Sequence, residues 1–427
     1  MQVRELNKTD TPALEREVER LMKASDTPFS LFMVDVGDTG QIFVRSGPAA
    51  SRKVLLNIAE SLQSFCRTQD RLCRIGDDVF CILLPGVHKK GQLTLAAEKI
   101  IRLHSNVMGK SETLFHSMMR IGIVSFPQDG GDAANLIHKA AIALDSAKKT
   151  GSPYVSYSKS LSQSLIDQWH LKEDLAEAIA DKALDIYYQP KFDMASRRPC
   201  GAEALLRWSS QKHGQVPPEV IVSLASEMGL MHELTGFVFT TSLLQAAEWP
   251  GIGKQLGLSV NLEATSLQQE ETLDIVAKIF SIWGNSERDL TVEITEGALV
   301  ADSDSSFERL RQLRSAGIGI SIDDFGTGYS SLSYFRTIPA TELKIDRSFI
   351  ANMLESDRDR HLVEAIIWLA HRFGLTVVAE GVQNTAQIKL LTEFKCDVFQ
   401  GYYFSEALPQ EEFCLWLSRY KAPEGLL

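Results

Sequence analysis

The segment Gly317-Ile-Gly-Ile-Ser-Ile-Asp323-Asp324-Phe-Gly326-Thr-Gly328-Tyr-Ser-Ser331 runs a short apolar stretch into two consecutive acids and then a glycine-rich turn. Gly326 and Gly328 predict a mobile, tightly turned loop directly after the two acids. Working outward, the same unit recurs. Apolar runs at Leu184–Tyr188, Cys200–Trp208, Leu256–Leu262, Leu290–Thr295, Gly317–Asp323, Thr341–Ile345, Leu375–Ala379 and Val398–Phe404 are separated by amphipathic segments. This alternation over about 240 residues predicts an α/β region built as a (β/α)8 barrel.

In such barrels chemistry sits at the C-terminal ends of the strands, and here polar residues occupy those ends. They are Glu203, Asn261, Glu293, the pair Asp323 and Asp324, Lys344 with Asp346, Glu380 and Gln400. An acid inside an apolar strand costs several kcal/mol unless it is paired or bound to a metal. A set of oxygen donors with no soft ligand suits Mg2+ or Mn2+. Adjacent carboxylates at 323 and 324 fit two such cations, with one acid shared between them, and Lys344 adds positive charge beside them.

The N-terminal region reads differently. It shows a helix around Ala13 to Ala24, an extended run Phe29 to Val36, a helix near Val54 to Phe65 and a hairpin Leu72 to Leu84 turning at Gly76-Asp77-Asp78. A helix near Leu93 to Asn106, a strand Ser117 to Ser125 and a helix Ala133 to Lys148 follow. These elements predict an α+β domain over residues 1–158, a linker helix over 159–182 and the barrel over 183–427.

Composition bounds the rest. The 427 residues are 44% hydrophobic and 23% charged, an ordinary globular balance that excludes a disordered or fibrous chain. No apolar run approaches about 18 residues, so the chain is expected to be cytoplasmic, with no transmembrane segment. Six scattered cysteines form no CxxC pair, and nine histidines form no zinc motif. Of the net charge of −11, residues 1–160 hold 21 basic against 17 acidic side chains and the remainder 23 against 38. That acid excess argues against a nucleic-acid polymer as partner.

Residues from about 184 to 415 resemble the EAL-domain cyclic di-GMP phosphodiesterases. The matching segments are Tyr188-Gln-Pro, Glu203-Ala-Leu-Leu-Arg, Val260-Asn, Glu293-Ile-Thr-Glu, Asp323-Asp-Phe-Gly-Thr-Gly-Tyr-Ser-Ser-Leu, Leu343-Lys-Ile-Asp, Ala379-Glu-Gly-Val and Gln400-Gly-Tyr. The resemblance implies a barrel with an antiparallel first strand, two Mg2+ or Mn2+ ions, and hydrolysis of cyclic di-GMP to linear pGpG. It makes Glu203, Asn261, Glu293 and Asp323 ligands of one metal and Asp323 and Asp324 ligands of the other. Lys344 falls to the attacking water, Glu380 and Gln400 to metal-linked waters; Lys344, Glu380 and Glu203 form the catalytic group. Gln189, Arg207, Asp346 and Gln400 fall to substrate binding, and Glu296 to anchoring the Asp323–Ser331 loop. Gln383 stands where many members carry a second glutamate. A homodimer through this domain is implied as well. The alternative is a receptor that holds cyclic di-GMP without hydrolysing it.

Residues 1–158 resemble a GGDEF domain that has lost catalysis. The signature hairpin reads Gly76-Asp77-Asp78-Val79-Phe80, so Asp77 replaces a glycine and Val79 a metal-binding carboxylate, and upstream only Asp35 remains as a candidate ligand. Arg67-Thr-Gln-Asp70 lies where the family places an inhibitory cyclic di-GMP site, which makes Arg67 and Asp70 a candidate allosteric pair.

Overall fold

The computed structural model describes residues 11–24, 28–37, 39–76, 78–108, 119–267, 275–276, 278, 280, 289–297, 303–326 and 338–420. The chain divides into two compact units between Trp169 and His170. That division falls inside the helix Lys159–Ala180, which takes in most of the expected linker segment.

In the first unit, β1 (Phe29–Asp35), β2 (Arg71–Ile75), β3 (Val79–Pro85), β4 (Arg120–Phe126) and β5 (Tyr154–Ser156) form a sheet of order β2-β3-β1-β4-β5. The central strand β1 pairs antiparallel with both β3 and β4 and is buried throughout. Its alternation feeds two cores. Phe32 and Val34 join one with Ile58, Leu62, Ala97 and Ile100, whereas Phe29, Leu31 and Met33 join the other with Leu14, Val18, Leu136 and Ala140. The helix expected near Val54 starts earlier, at Thr39, and is broken at Gly47, whose φ of 79° is left-handed and precedes Pro48. Strand β5, three residues behind Gly-Ser-Pro, was not expected. Ser117, Met118 and Asp77 lie outside the described residues.

The second unit is the barrel. Its strands are β6 (Asp185–Asp193), β7 (Arg198–Ser210), β9 (Gly257–Asn261), β10 (Leu290–Thr295), β11 (Gly319–Phe325), β12 (Glu342–Ile345), β13 (Thr376–Ala379) and β14 (Val398–Gln400), with short flanking strands β8 (Gly214–Val216) and β15 (Leu408–Pro409). Every expected run is present. β6 pairs antiparallel with β7 on one side and β14 on the other, which closes eight strands into a ring, and the remaining neighbours are parallel. The antiparallel first strand is thus a feature of this fold. The last expected run stops at Gln400 instead of Phe404. A Cβ on Gly401 would lie 2.2 Å from the Val382 carbonyl oxygen, and this close approach turns the chain out of the sheet. The barrel core outside the ring packs Tyr188 against Trp249 and Phe413, at centroid distances of 5.1 and 5.5 Å. All six cysteines are free, and no helix of the described residues is long and apolar enough to cross a membrane.

Candidate active site

Side chains alternate across a strand, so residues two apart share the barrel interior. Ser259 and Asn261, Ser321 and Asp323, and Glu342 and Lys344 are such pairs, and the upper member of each comes from the C-terminal end of its strand. The packed apolar layers usual in these barrels are replaced at this end by polar groups.

Lys344 is the hub. It is 1% exposed, and its Nζ lies 2.6 Å from Glu293 Oε2, 2.6 Å from Glu380 Oε1, 3.2 Å from Asp323 Oδ1 and 3.4 Å from Glu203 Oε2. Glu203 also accepts from Asn261 Nδ2 at 2.8 Å and Gln400 Nε2 at 2.7 Å. Gln400 donates in turn to Gln189 Oε1 at 2.9 Å. Seven strands and the Glu380 segment therefore feed one connected network.

Strict alternation would send one of two consecutive acids out of the barrel. Two features keep both. The β11–β12 register shifts between Ile322 and Phe325, and Asp324 adopts a left-handed backbone with φ 53°. Such a conformation costs about 1–3 kcal/mol away from glycine and persists only where the surrounding structure holds it. As a result, carboxylate oxygens of Asp323, Asp324 and Glu380 all lie within 4.8 Å of one another, a geometry that can hold a cation.

Protonation follows from this crowding. Burial raises the pKa of Glu203, and neighbouring Glu293 raises it further. Asp323 is likewise raised by burial, and Asp324 by burial and by Asp346. Burial pushes Glu380 up to about 8 despite Lys344. Burial would raise Glu293 too, but Lys191 and Lys344 outweigh it and hold this carboxyl down at about 2. The Lys344 ammonium persists although burial opposes it, because Glu203, Glu293, Glu380 and Asp323 surround it. Six carboxylates, counting Glu342 beside Lys191, face two lysines, an excess of acids that hard divalent cations would neutralise.

The site opens into a cavity of about 1110 Å3. Gln189, Arg207, Asp346 and Gln400, expected to bind substrate, all line it. The Arg207 guanidinium lies 5.7 Å from the centre of the Tyr187 ring. Asp346 caps the helix Arg347–Asn352, accepting from the Ser348 amide at 3.0 Å. Glu296, 2% exposed, accepts from the Gly326 amide at 3.1 Å and so grips the first turn of the expected loop. Residues 327–337, including the remainder of that loop to Ser331, lie outside the described residues.

Sequence reasoning missed Lys191 and Glu342. Lys191 is 3% exposed and binds Glu293 Oε1 at 2.7 Å, Ser259 Oγ at 2.8 Å and Glu342 Oε1 at 3.2 Å. A charge in Tyr188-Gln-Pro-Lys191-Phe, two positions beyond Gln189 on the same face, was the available signal.

In the first unit Asp35 accepts from the Gly37 amide at 2.8 Å and is ion-paired with Lys148, while Val79 lies opposite it in the sheet. Arg67 and Asp70 close on each other. The Asp70 side chain takes the Arg67 amide at 2.7 Å and the guanidinium at 2.9 and 3.0 Å, and Arg67 also donates to the Pro85 carbonyl. This gives the pair a local structural role at the helix end.

Comparison with known proteins agrees with this geometry. Residues 172–407 match the EAL domain family, and residues 10–153 match the family described as diguanylate cyclase, GGDEF domain. The bifunctional diguanylate cyclase/cyclic di-GMP phosphodiesterase MucR of Pseudomonas aeruginosa is 32% identical over 401 residues, taking in 93% of this chain and 58% of that one. The cyclic di-GMP phosphodiesterase NbdA of the same organism is 31% identical over 377 residues, 88% of this chain and 48% of that one. The chain thus spans about half the length of the curated relatives it matches. Among solved structures, the PaMucR phosphodiesterase in complex with c-di-GMP is 36% identical, with a TM-score of 0.54 over 57% of this chain and 99% of that one. The Vibrio cholerae LapD S helix-GGDEF-EAL structure shares the fold at 18% identity, with a TM-score of 0.52 over 92% of this chain and 94% of that one. With its closed eight-stranded ring, its inverted first strand and its acid-lined rim, the chain belongs to the EAL domain family and carries a GGDEF-family region ahead of the barrel.

Proposed function

We propose that the barrel hydrolyses cyclic di-GMP to linear pGpG with the help of two divalent cations, and that the first unit is a regulatory or assembly module without cyclase activity. The observation carrying this reading is the meeting of Glu203, Asn261, Glu293, Asp323 and Asp324 around Lys344 at the floor of an open cavity. These five residues would hold Mg2+ or Mn2+, with Asp323 shared between two ions. Bound there, the cations supply Lewis-acid polarisation of the phosphate and a lowered pKa for the attacking water.

The chain's own groups do the rest. Lys344 orients the water and offsets the charge that builds on the phosphoryl oxygens. Arg207, at the cavity wall, grips phosphate with parallel donors, while Gln189 and Asp346 present amide and carboxylate groups suited to a guanine edge. The water oxygen bonds to phosphorus as the bond to the 3′-oxygen breaks, one water proton ends on that leaving oxygen, and the product carries a 5′-phosphate. Gln400 holds the Glu203 carboxylate in place by donating to its Oε2 at 2.7 Å.

For the first unit, the pairing of Asp35 with Lys148 and the apolar Val79 opposite it support loss of metal-dependent cyclase chemistry. A homodimer through the barrel and a cytoplasmic location complete the reading. The test is to incubate purified protein with cyclic di-GMP and Mg2+ or Mn2+ and follow pGpG. Turnover is expected, with a loss of at least about 100-fold in Glu203→Ala. Binding that persists in a chelator, without turnover under either metal, would instead identify a receptor.

A further inference from the structure

Below the acid-lined rim the barrel interior holds a second charged layer. Lys191 enters it from β6, Ser259 from β9, Glu293 from β10 and Glu342 from β12. Gly201 lies opposite Lys191 in the sheet, so no neighbouring side chain on β7 competes for the space. An ammonium has three donors, and Lys191 has three acceptors: Glu293 Oε1, Ser259 Oγ and Glu342 Oε1, at 2.7, 2.8 and 3.2 Å. With its donors spoken for and its side chain 4% exposed, it does not reach into the cavity.

Its effect falls on Glu293. That carboxylate is fully buried and bridges two lysines, with Oε1 on Lys191 and Oε2 on Lys344 at 2.6 Å. A carboxylate free to rotate about its last bond could present either oxygen, or both, to a cation. Tying one oxygen to a fixed ammonium leaves a single oxygen facing the rim. Partners of this kind fix the orientation of a metal ligand, and their loss typically costs 10–100-fold in affinity or activity.

We infer that Lys191 is a positioning residue for the divalent-ion site, holding Glu293 so that Oε2 alone is offered to the cavity. The inference rests on the reading of Glu293 as a metal ligand and extends that reading to a residue that touches neither metal nor substrate.

The experiment titrates the full chain with Mn2+ alone, without nucleotide, following free Mn2+ by electron paramagnetic resonance, and records melting temperatures in parallel. Lys191→Met is expected to bind Mn2+ about 10–100-fold more weakly than the parent. With cyclic di-GMP added, kcat should fall while KM stays within about twofold. Glu342→Gln keeps an acceptor for Lys191 and leaves Glu293 gripped, so its Mn2+ affinity should stay within about twofold of the parent. A folded Lys191→Met protein with equal or tighter Mn2+ binding overturns the inference, as does a parent chain that binds no Mn2+. A drop in melting temperature with unchanged Mn2+ affinity also overturns it, because a purely structural ion pair gives that result. Should Lys191→Met fail to fold, Ser259→Ala removes one anchor of the ammonium, and about threefold weaker Mn2+ binding is expected; unchanged affinity overturns the inference. A parent that binds Mn2+ but makes no pGpG defeats the proposed reaction and leaves the ratio of Mn2+ affinities to judge Lys191 separately.

Discussion

Glu293 and Glu380 flank the same ammonium, each 2.6 Å from Lys344 Nζ, yet they titrate in opposite directions. Glu293 has two lysines and is held at about 2, whereas Glu380 shares one lysine with three other acids and is pushed up to about 8. The sign of the resulting pH dependence is fixed. Folded Glu380 keeps its proton through a range where the unfolded chain has lost it, so its contribution is full below about 4.5 and is lost as pH rises through 8. Glu203, Asp323 and Asp324 shift the same way. Glu293 acts oppositely and withdraws stability only as pH falls from 4.5 toward 2. In chelator the stability should therefore fall between pH 5 and 8, by up to about 1.4 kcal/mol per pH unit from Glu380, read as a falling melting temperature, and saturating Mn2+ should flatten the decline. A melting temperature rising with pH in chelator would refute the crowding of these acids. Lys344→Met leaves the same carboxylates without their shared cation. Without metal the barrel should lose about 3–5 kcal/mol, as when one partner of a buried pair is removed, and Mn2+ should restore much of it in a thermal melt.

At the scale of the element, the rim depends on how strands end. The turn after β14 works because Gly401 comes within van der Waals contact of Val382, and the Val382 amide donates to the Gln400 carbonyl at 3.0 Å. Gly401→Ala would drive a methyl group into that backbone and should cost at least about 2 kcal/mol. Because Gln400 aligns Glu203, pGpG formation should fall with stability; full activity at an unchanged melting temperature would show that the contact is unimportant. Strand ends were also what made the site readable from sequence. A polar residue closing a short apolar run recurred at Glu203, Asn261, Glu293, Asp323, Lys344 and Glu380, and a two-residue period then fixes which face each takes. Lys191 escaped that logic for two physical reasons. It follows Pro190, a residue that reads as the end of a strand, and it sits on the one strand that runs backwards, where the last residues point away from the rim. Glu342 opens its strand instead of closing it, and Asp324 faces the cavity only through a bulge that periodicity cannot show. β5 was too short to carry a pattern.

For the molecule as a whole, the two units differ in how they treat their acids. The barrel keeps six carboxylates around two lysines and has acid to spare, whereas in the first unit Asp35 is balanced by Lys148 and lies opposite Val79 in the sheet. Incubation of the full chain with GTP and Mg2+ should consequently yield no cyclic di-GMP, and Val79→Glu alone should not create that activity, since Lys148 still occupies Asp35. Accumulation of cyclic di-GMP from GTP by the parent chain would overturn this view.

The reversed first strand decides at which end the chain enters the barrel. Asp185 pairs with Arg207, a residue of the cavity wall, so the polypeptide arrives at the working mouth of the barrel and descends from there. The helix that delivers it is fastened at that mouth: Lys172 meets Glu227, another wall residue, at 2.6 Å, and Asp174 meets Lys212, just past Arg207, at 2.6 Å. A strand parallel to the others would have been fed from the far end of the barrel. Here the incoming helix is tied by two short ion pairs to Glu227 of the cavity wall and to Lys212 near it.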